Sequence, residues 1–241
     1  MLDKRISDPE LMSKVVTSVE AAMLIKDGMN VAASGFTISG YPKAVSMALA
    51  KRAEQTGEKI KINLLTGAST GEELDGELAR AGMICKRLPY QTNDSLRDSI
   101  NKGDCQYLDM HLSQVQQYIR YDFLGKIDIA IIEAVAITED GNIIPSSSVG
   151  CSPTFVSKAD KVIVEINTSQ PIGLEGMADI YVPQSPPYQM PIPISKVDQR
   201  IGTPYIPCDK DKLAAIVITD IPDDVKEMTP VDDISMRISG Y

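Results

Sequence analysis

The sequence of 241 residues contains no tryptophan, a single histidine and four cysteines. One histidine, His111, is too few for a zinc site built on two histidines, and no Gly-x-Ser-x-Gly segment is present to indicate a serine hydrolase. The cysteines stand at positions 85, 105, 151 and 208 and form no Cys-x-x-Cys pair. We therefore expect four reduced thiols, no bound metal, and at His111 only the start of a helix.

Positive charge and long apolar runs are also scarce. Lysine and arginine number 24 against 33 acidic residues, a net charge of −9, whereas binding along a nucleic-acid backbone needs concentrated positive charge. No apolar run approaches the roughly 20 residues of a membrane span. The charged residues 1–5 lead into no apolar segment of the kind found in secretion signals. We expect a cytoplasmic protein with neither a nucleic-acid nor a membrane partner.

The sequence does contain a regular alternation of apolar and amphipathic segments. Apolar segments predict strands at residues 29–33, 59–66, 83–88, 107–110, 127–134, 161–167 and 213–219, with a hairpin within 137–144. Amphipathic segments and capping residues predict helices from Ser7 onward and at 19–26, 43–55, 72–80, 95–101, 113–123 and 153–157. Strands that alternate with helices predict an α/β fold, a mostly parallel sheet with helices on both faces.

Two segments depart from this alternation. Residues 168–208 carry eight prolines and predict a long arm over the surface of a domain that spans residues 1–219. Residues 220–241 are interpreted as a linker and the start of a helix. The arm exposes apolar side chains unless something covers them, so we expect a homodimer or a larger assembly. These side chains are Ile172, Leu174, Met177, Tyr181, Val182, Tyr188 and Met190.

Three loops that follow predicted strands combine glycine or proline with small hydroxyl side chains: Ser34–Gly40, Gly67–Gly71 and Pro89–Asn93. Any one of them is explained by turn and capping chemistry alone. Together at the carboxyl edge of a parallel sheet they predict a polar pocket whose amides and hydroxyls hold a carboxylate or an oxyanion. None is a dinucleotide fingerprint or a P-loop.

Two acids lie in apolar strands. Glu133 closes the predicted strand 127–134, and Glu165 lies inside the strand 161–167. A buried carboxylate is costly unless it is paired, so each is either tuned for function or a structural hydrogen-bond acceptor.

The motifs of the chain closely resemble those of the class I coenzyme A transferases, within them the acetyl-CoA hydrolase/transferase branch. The resemblance covers nearly the whole chain in family order. Its residues are Asp27–Val45, Thr66–Gly71, Pro89–Gln91, Ile137–Gly141, Ser148–Gly150 and Lys161–Asn167.

The resemblance implies the fold type shared with ribose-phosphate isomerases and a CoA transfer between an acyl-CoA and a small carboxylic acid. A glutamate attacks the thioester, giving an acyl-glutamyl anhydride and then a glutamyl-CoA thioester. That glutamate belongs to the C-terminal half of family members, which are about twice as long, so we expect no catalytic nucleophile in this chain and the C-terminal half as its partner. CoA enters as a substrate, with no further cofactor.

The resemblance also implies which residues bind substrate, with Ser69 and Thr92 at positions that line the carboxylate pocket. The expected set is Gly35, Phe36, Gly40, Ser69, Thr70, Thr92 and Asn93. Relatives often carry a Pro-Asp-Arg-like sequence where this chain has Pro222-Asp223-Asp224, so the arginine of that contact is replaced by Asp224.

Three alternatives to the transferase remain open at this point. The first is an acetyl-CoA hydrolase, in which water replaces the acid. The second is a catalytically silent binding or scaffold domain. The third is a sugar-phosphate isomerase, which needs cations in the loops; Lys43 and Arg87 lie close in sequence, but the loops carry no positive charge.

Overall fold

A nine-stranded, mostly parallel β-sheet organises the part of the protein that the computed structural model describes, residues 4–224 and 228–240. The strands are β1 (Val15–Val16), β2 (Asn30–Ala33), β3 (Ile62–Leu65), β4 (Ile84–Leu88), β5 (Gln106–Tyr107), β6 (Ile127–Ile137), β7 (Ile143–Pro145), β8 (Ala159–Asn167) and β9 (Leu213–Thr219). Their order is β1-β9-β8-β6-β2-β3-β4-β5, and β7 pairs with β6 as the antiparallel arm of the predicted hairpin. The predicted α/β fold is confirmed.

Helices cover both faces of the sheet. They are α1 (Ser18–Ala22), α2 (Ala44–Thr56), α3 (Glu77–Arg80), α4 (Asp94–Lys102), α5 (Leu112–Arg120), α6 (Ser152–Lys158) and α7 (Asp233–Ser239). One core layer contains side chains of α1 to α4, and the other contains side chains of α5 and α6. Successive residues of β6 enter opposite layers, Ile131 the first and Ile132 the second. A central strand of a parallel sheet is buried on both faces, which explains why the sequence of β6 is almost continuously apolar.

Local sequence signals set several element ends. Gly57 ends α2 in the left-handed conformation, with a φ of 69°, which a glycine adopts at little cost. Thr17 and Glu20 form a capping box at the start of α1. The Asn93 side chain caps α4 by accepting a hydrogen bond from Leu96 N. The predicted bounds of α2 and α4 are therefore within one residue of those observed.

The structure differs from the prediction near the N-terminus. No α-helix follows Ser7; a single 3₁₀ turn, Leu11–Lys14, leads into the short strand β1. Val15 and Val16 pair in parallel with β9 at the end of the sheet. Pairing with another strand overrides the four-residue apolar spacing here, because β-branched valines suit a strand at least as well as a helix.

Several predicted elements have different bounds or contents. Helix α1 is capped by Thr17 rather than Ser18 and ends before residue 26. The predicted helix 72–80 opens with a π-helical turn, Glu72–Gly76, and the predicted strand 107–110 reduces to the two residues of β5. Glu133 does not close its strand, because β6 continues to Ile137 and places this carboxylate in the middle of the sheet.

The proline-rich arm, residues 168–208, contains a single 3₁₀ turn, Ile172–Leu174, and no named strand or α-helix. An isolated bridge from Ile206 to Ile143 of β7 ties the C-terminal end of the arm to the sheet, and a bridge between Ile180 and Thr203 joins two parts of the arm itself. Beyond β9, the predicted helix is present as α7, whose residues are all exposed. Residues 1–3, 225–227 and 241, which the domain and linker predictions include, lie outside the described residues. No helix in the described ranges is both long and apolar enough to cross a bilayer.

Candidate functional site

The loops after β2, β3 and β4 meet at one edge of the sheet, because these strands are parallel neighbours. Together with the segment between β5 and α5 they enclose a cavity of about 650 Å³. Its lining residues are Phe36, Thr37, Gly67, Ala68, Ser69, Tyr90, Asp109, Met110, His111 and Leu112. The three loops lie at one edge of the sheet, as predicted, and each contributes residues to the lining of this cavity. The position agrees with the general placement of ligands in open α/β sheets.

Phe36 and Ser69, both expected to bind substrate, line this cavity. Ser69 is buried, and among the described residues its hydroxyl has no hydrogen-bond partner, so it is available to a ligand. Phe36 is exposed and adds an aromatic surface to the lining of the cavity. The cavity thus combines an apolar wall with a small number of polar groups, as ligand sites commonly do.

Three more of the expected residues are not among those that line the cavity. Gly35 is buried against Tyr41, where a Cβ would overlap the tyrosine. The Gly40 amide donates to the carboxylate of Asp223. Thr70 is buried, and its hydroxyl oxygen has no partner in the described part of the chain.

Thr92 and Asn93 do not line the cavity, contrary to expectation. Thr92 is exposed, and Asn93 caps α4 at 3.1 Å from Leu96 N while its amide donates to Glu72. Asn93 is used at the start of α4, and Tyr90 is the residue of this loop that lines the cavity. For Asn93 the structure therefore matches the capping alternative that the sequence left open.

The segment after β5 also contributes to the cavity, which was not predicted from the sequence. Asp109, Met110 and His111 line the cavity. His111 does stand at the N-cap of α5, as expected, but its side chain makes no capping hydrogen bond. Because β5 is the next parallel strand beyond β4, its loop opens at the same edge. The sequence predicted a strand at 107–110 but not its place beside β4, and that place is what brings His111 to the site.

A buried ionic network lies at the same end of the sheet. The ammonium group of Lys43, fully buried, donates to Glu133 Oε2 at 2.7 Å and to Asp223 Oδ1 at 2.8 Å. Asp223 also accepts hydrogen bonds from Ser147 Oγ and Gln170 Nε2. The network joins α2, β6, the arm and the segment after β9, and through Gly40 it reaches the loop that carries Phe36.

The pKa values in this network follow from burial and pairing. Burial on its own would lower the pKa of Lys43, but Glu133 and Asp223 outweigh it and raise the value. Burial pushes the pKa of Asp223 upward, and hydrogen bonds from Lys43 and Ser147 outweigh it, leaving the value below the usual one. Burial raises the pKa of Glu133, and Lys43 offsets only part of that rise. Lys43 and Asp223 are thus a charged pair.

Glu165 has a structural role at the start of α2. Its carboxylate accepts hydrogen bonds from the backbone amides of Lys43, Ala44 and Val45 at 2.7–2.9 Å. Burial raises its pKa, and these three amides oppose the rise. A carboxylate at a helix N-terminus satisfies free amides and complements the helix dipole. Glu165 therefore matches the structural interpretation that the sequence left open.

The cations that a sugar-phosphate enzyme would need are not available in the cavity. Arg87 is fully buried and pairs with Asp75 at 2.8 Å, and Lys43 is committed to its own network. Neither lysine nor arginine is among the residues that line the cavity. Recognition of a phosphate by this wall of the cavity is therefore disfavoured.

The cysteines are free thiols. Burial raises the pKa of Cys151 to about 12, and those of Cys105 and Cys208 to about 11. Such thiols stay protonated near neutral pH and are poor nucleophiles. Cys151 packs directly against Gly67, so it supports the wall of the site and is not suited to act as a nucleophile.

Comparison with known proteins agrees with this geometry. The family model of the acetyl-CoA hydrolase/transferase N-terminal domain matches residues 1–218. The chain is 54% identical over 237 residues to succinyl-CoA:acetate CoA-transferase of Clostridium kluyveri, covering 98% of this chain and 44% of that protein. It is 43% identical to the acetyl-CoA hydrolase of Candida glabrata, covering 100% of this chain and 47% of that protein. The chain spans about half the length of the curated relatives it matches.

Solved structures support the fold. RipA from Yersinia pestis superposes with a TM-score of 0.63 at 18% identity, covering 92% of this chain and 46% of that one. Glutaconate coenzyme A-transferase from Acidaminococcus fermentans superposes with a TM-score of 0.51 at 16% identity, over 63% of this chain and 66% of that one. With the family model matching most of its length, the chain belongs to the acetyl-CoA hydrolase/transferase family, an enzyme family of which it carries the N-terminal domain.

Proposed function

We propose that this chain is the N-terminal half of an acyl-CoA:carboxylate CoA-transferase and that its cavity receives the carboxylate end of the substrates. The cavity formed by the loops after β2, β3 and β4 is the observation that carries the proposal. The Ser69 hydroxyl and the amides of its loop are suited to a carboxylate, and Phe36 and Leu112 are suited to a short acyl chain. The names of relatives such as succinyl-CoA:acetate CoA-transferase support the reaction class.

The proposed chemistry proceeds by acyl exchange on a glutamate of the other half of the enzyme. The glutamate carboxylate attacks the thioester carbonyl, the C–S bond breaks, and CoA leaves as a thiolate, giving an acyl-glutamyl anhydride. The thiolate then attacks the glutamyl carbonyl and releases the free acid, leaving a glutamyl-CoA thioester. A second acid reverses these steps. The role of the present chain is to orient the acids, which lowers the entropic part of the barrier.

The acids of this chain that the sequence singled out are unsuited to the nucleophilic role. Glu133 is hydrogen-bonded to Lys43, Ser146 and Asn167, and Glu165 to the amides at the start of α2. Neither lines the cavity. We therefore propose that the nucleophile comes from the C-terminal half, with CoA as substrate and no further cofactor.

An acetyl-CoA hydrolase is the second candidate, and relatives with that name favour it. The two activities differ in the acceptor, a carboxylic acid or water. The full-length protein that carries this chain is incubated with succinyl-CoA, with and without acetate. For a transferase we expect acetyl-CoA to form only when acetate is present, and little free CoA to form without it. Rapid release of CoA whether or not acetate is present favours the hydrolase.

The isolated 241-residue chain provides the second test. We expect neither CoA transfer nor a covalent adduct when it is incubated with succinyl-CoA. Any enzyme thioester is reduced with borohydride, and the modified residue is located by mass spectrometry. Modification of Glu133 or Glu165, or turnover with acetate, would overturn the proposal that the nucleophile lies in the other half.

A further inference from the structure

A fully buried arginine lies beneath the cavity. Arg87, on β4, donates from Nε and Nη2 to the two carboxylate oxygens of Asp75, both at 2.8 Å. Its Nη1 donates to the carbonyls of Leu88 at 2.9 Å and Pro89 at 2.6 Å, and Nη2 reaches the Ala68 carbonyl at 3.5 Å. This planar fork contacts two loops at once, which a lysine ammonium group does not reproduce.

The contacts of Arg87 tie together two walls of the cavity. Ala68 precedes Ser69 in the loop after β3, and Pro89 precedes Tyr90 in the loop after β4. Asp75 extends the same connection, because one of its oxygens accepts a hydrogen bond from the Thr70 amide at 3.3 Å. The Arg87–Asp75 pair therefore fixes the position of the loop that carries Ser69 relative to the loop that carries Tyr90.

The two non-glycine residues of the cavity wall with left-handed backbones are Thr37, with a φ of 58°, and Tyr90, with a φ of 31°. Such backbones are unfavourable for a β-branched or aromatic residue and persist where surrounding contacts impose them. Next to Tyr90, Arg87 donates a hydrogen bond to the carbonyl of Pro89, the residue that precedes it. The result is a half-exposed ring placed on the wall of the cavity.

Folding stability alone does not explain why a buried Arg87–Asp75 pair lies here. A buried ion pair often contributes no more to folding than apolar side chains of similar volume, since both charges lose their hydration. Here the guanidinium group instead satisfies carbonyls of both loops and Asp75, so its distinctive effect is on loop geometry.

We infer that Arg87 is a positioning residue for the proposed transferase, holding Ser69 and Tyr90 at a set separation across the cavity, and that the Tyr90 ring contacts the bound carboxylic acid. The inference rests on the proposed function, because it concerns the same cavity. It adds Tyr90 as a residue that determines which acids fit the cavity. It also adds the buried Arg87–Asp75 pair as the group that positions Tyr90. Membership in the family assigns neither role.

The first experiment compares Arg87→Lys with Arg52→Lys in the full-length protein. Arg52 is a matched control: it pairs with Glu58 and donates to carbonyls of Ala22 and Ile25, away from the cavity. We expect Arg87→Lys to raise KM for acetate by about tenfold, the effect of one lost hydrogen bond to a charged group, with kcat within threefold. Arg52→Lys leaves both unchanged. A variant that loses kcat with no change in KM would show a structural role only and overturn the inference.

Tyr90→Gly provides a second variant that relieves the backbone rather than straining it, because glycine accepts a positive φ. We expect an unchanged melting temperature and a KM for acetate about tenfold higher, because the ring contact with the acid is lost. Tyr90→Phe should stay within about threefold of wild type because it keeps the ring. An unchanged KM in Tyr90→Gly would contradict the inference. If the wild-type protein transfers no CoA, the proposed function fails and the inference with it; an active wild type with unaffected variants overturns the inference alone.

Discussion

At the scale of single residues, Lys43 connects more of the site than any sequence motif suggests. Its ammonium group is fully buried between Glu133 and Asp223. Lys43→Met leaves two carboxylates without their cation, and removing one partner of a buried pair costs about 3–5 kcal/mol of unfolding free energy. Lys51→Met, an exposed position on the same helix, is expected to stay within about 0.5 kcal/mol of wild type. Urea unfolding measures both, and equal losses would contradict the role of the network.

Asp223 makes the stability of the protein depend on pH. Its pKa in the folded protein lies below the usual value of 3.8. Its contribution is therefore present above that value and is lost as the pH falls through the folded pKa. We expect Asp223→Asn to be less stable than wild type near neutral pH, and the difference to shrink in acid. Urea unfolding at several pH values tests this, with exposed Asp198→Asn as control; a difference that grows in acid would be inconsistent with the charged pair.

Substitutions at Ser69 and Thr92 distinguish a residue that lines the cavity from one that lies outside it. The Ser69 hydroxyl lines the cavity, whereas Thr92 is exposed outside it. In the full-length enzyme we expect Ser69→Ala to raise KM for the carboxylate about ten- to a hundredfold, the effect of one lost hydrogen bond to a charged group. Thr92→Ala is expected to stay within about twofold, since it loses no such bond. Steady-state kinetics with acetate decides, and equal effects would place both residues in the site.

At the scale of elements, the turn after β3 depends on a close contact between Gly67 and Cys151. Gly67 has a φ of 81°, and a Cβ there would overlap Cys151 Sγ. Gly57 also has a positive φ but an open surrounding, so it isolates the cost of the backbone alone. We expect Gly57→Ala to cost about 1 kcal/mol and Gly67→Ala a further 1–3 kcal/mol or so from overpacking. Thermal unfolding measures the destabilisation caused by each substitution. Equal destabilisation would show that the turn after β3 accommodates the extra Cβ without overpacking.

At the scale of the whole molecule, the arm leaves apolar side chains uncovered. Tyr188 is 74% exposed and Met190 is 70% exposed. Exposed apolar clusters mark interfaces, so we expect the full-length protein to be a homodimer with these side chains at the contact. Truncating a central anchor costs about 2 kcal/mol, roughly thirtyfold in Kd, and Tyr188→Ser with Met190→Ser should shift the protein toward monomer in light scattering. A wild-type monomer at micromolar concentration would contradict dimerisation, and an unshifted double variant would place the contact elsewhere.

Much of the fold could be predicted because its signals are local. The apolar run of β6, the alternation of strands with helices and the left-handed stop at Gly57 each act within a few residues. The same applies to the loops of the site, whose common edge follows once parallel strands are assumed. The N-terminal helix was predicted wrongly because the partner of Val15 and Val16 is β9, far away in the chain.

The sequence by itself determined the fold class, the family resemblance and the loops that form the cavity, since periodicity, turn chemistry and motifs are properties of neighbouring residues. The tertiary structure alone decided that Lys43 pairs with Asp223, 180 positions away, and that His111 and Tyr90 line the cavity while Thr92 does not. These outcomes depend on the order of strands in the sheet and on which buried charges meet. Both are set by packing and desolvation across the whole molecule, which no short segment records.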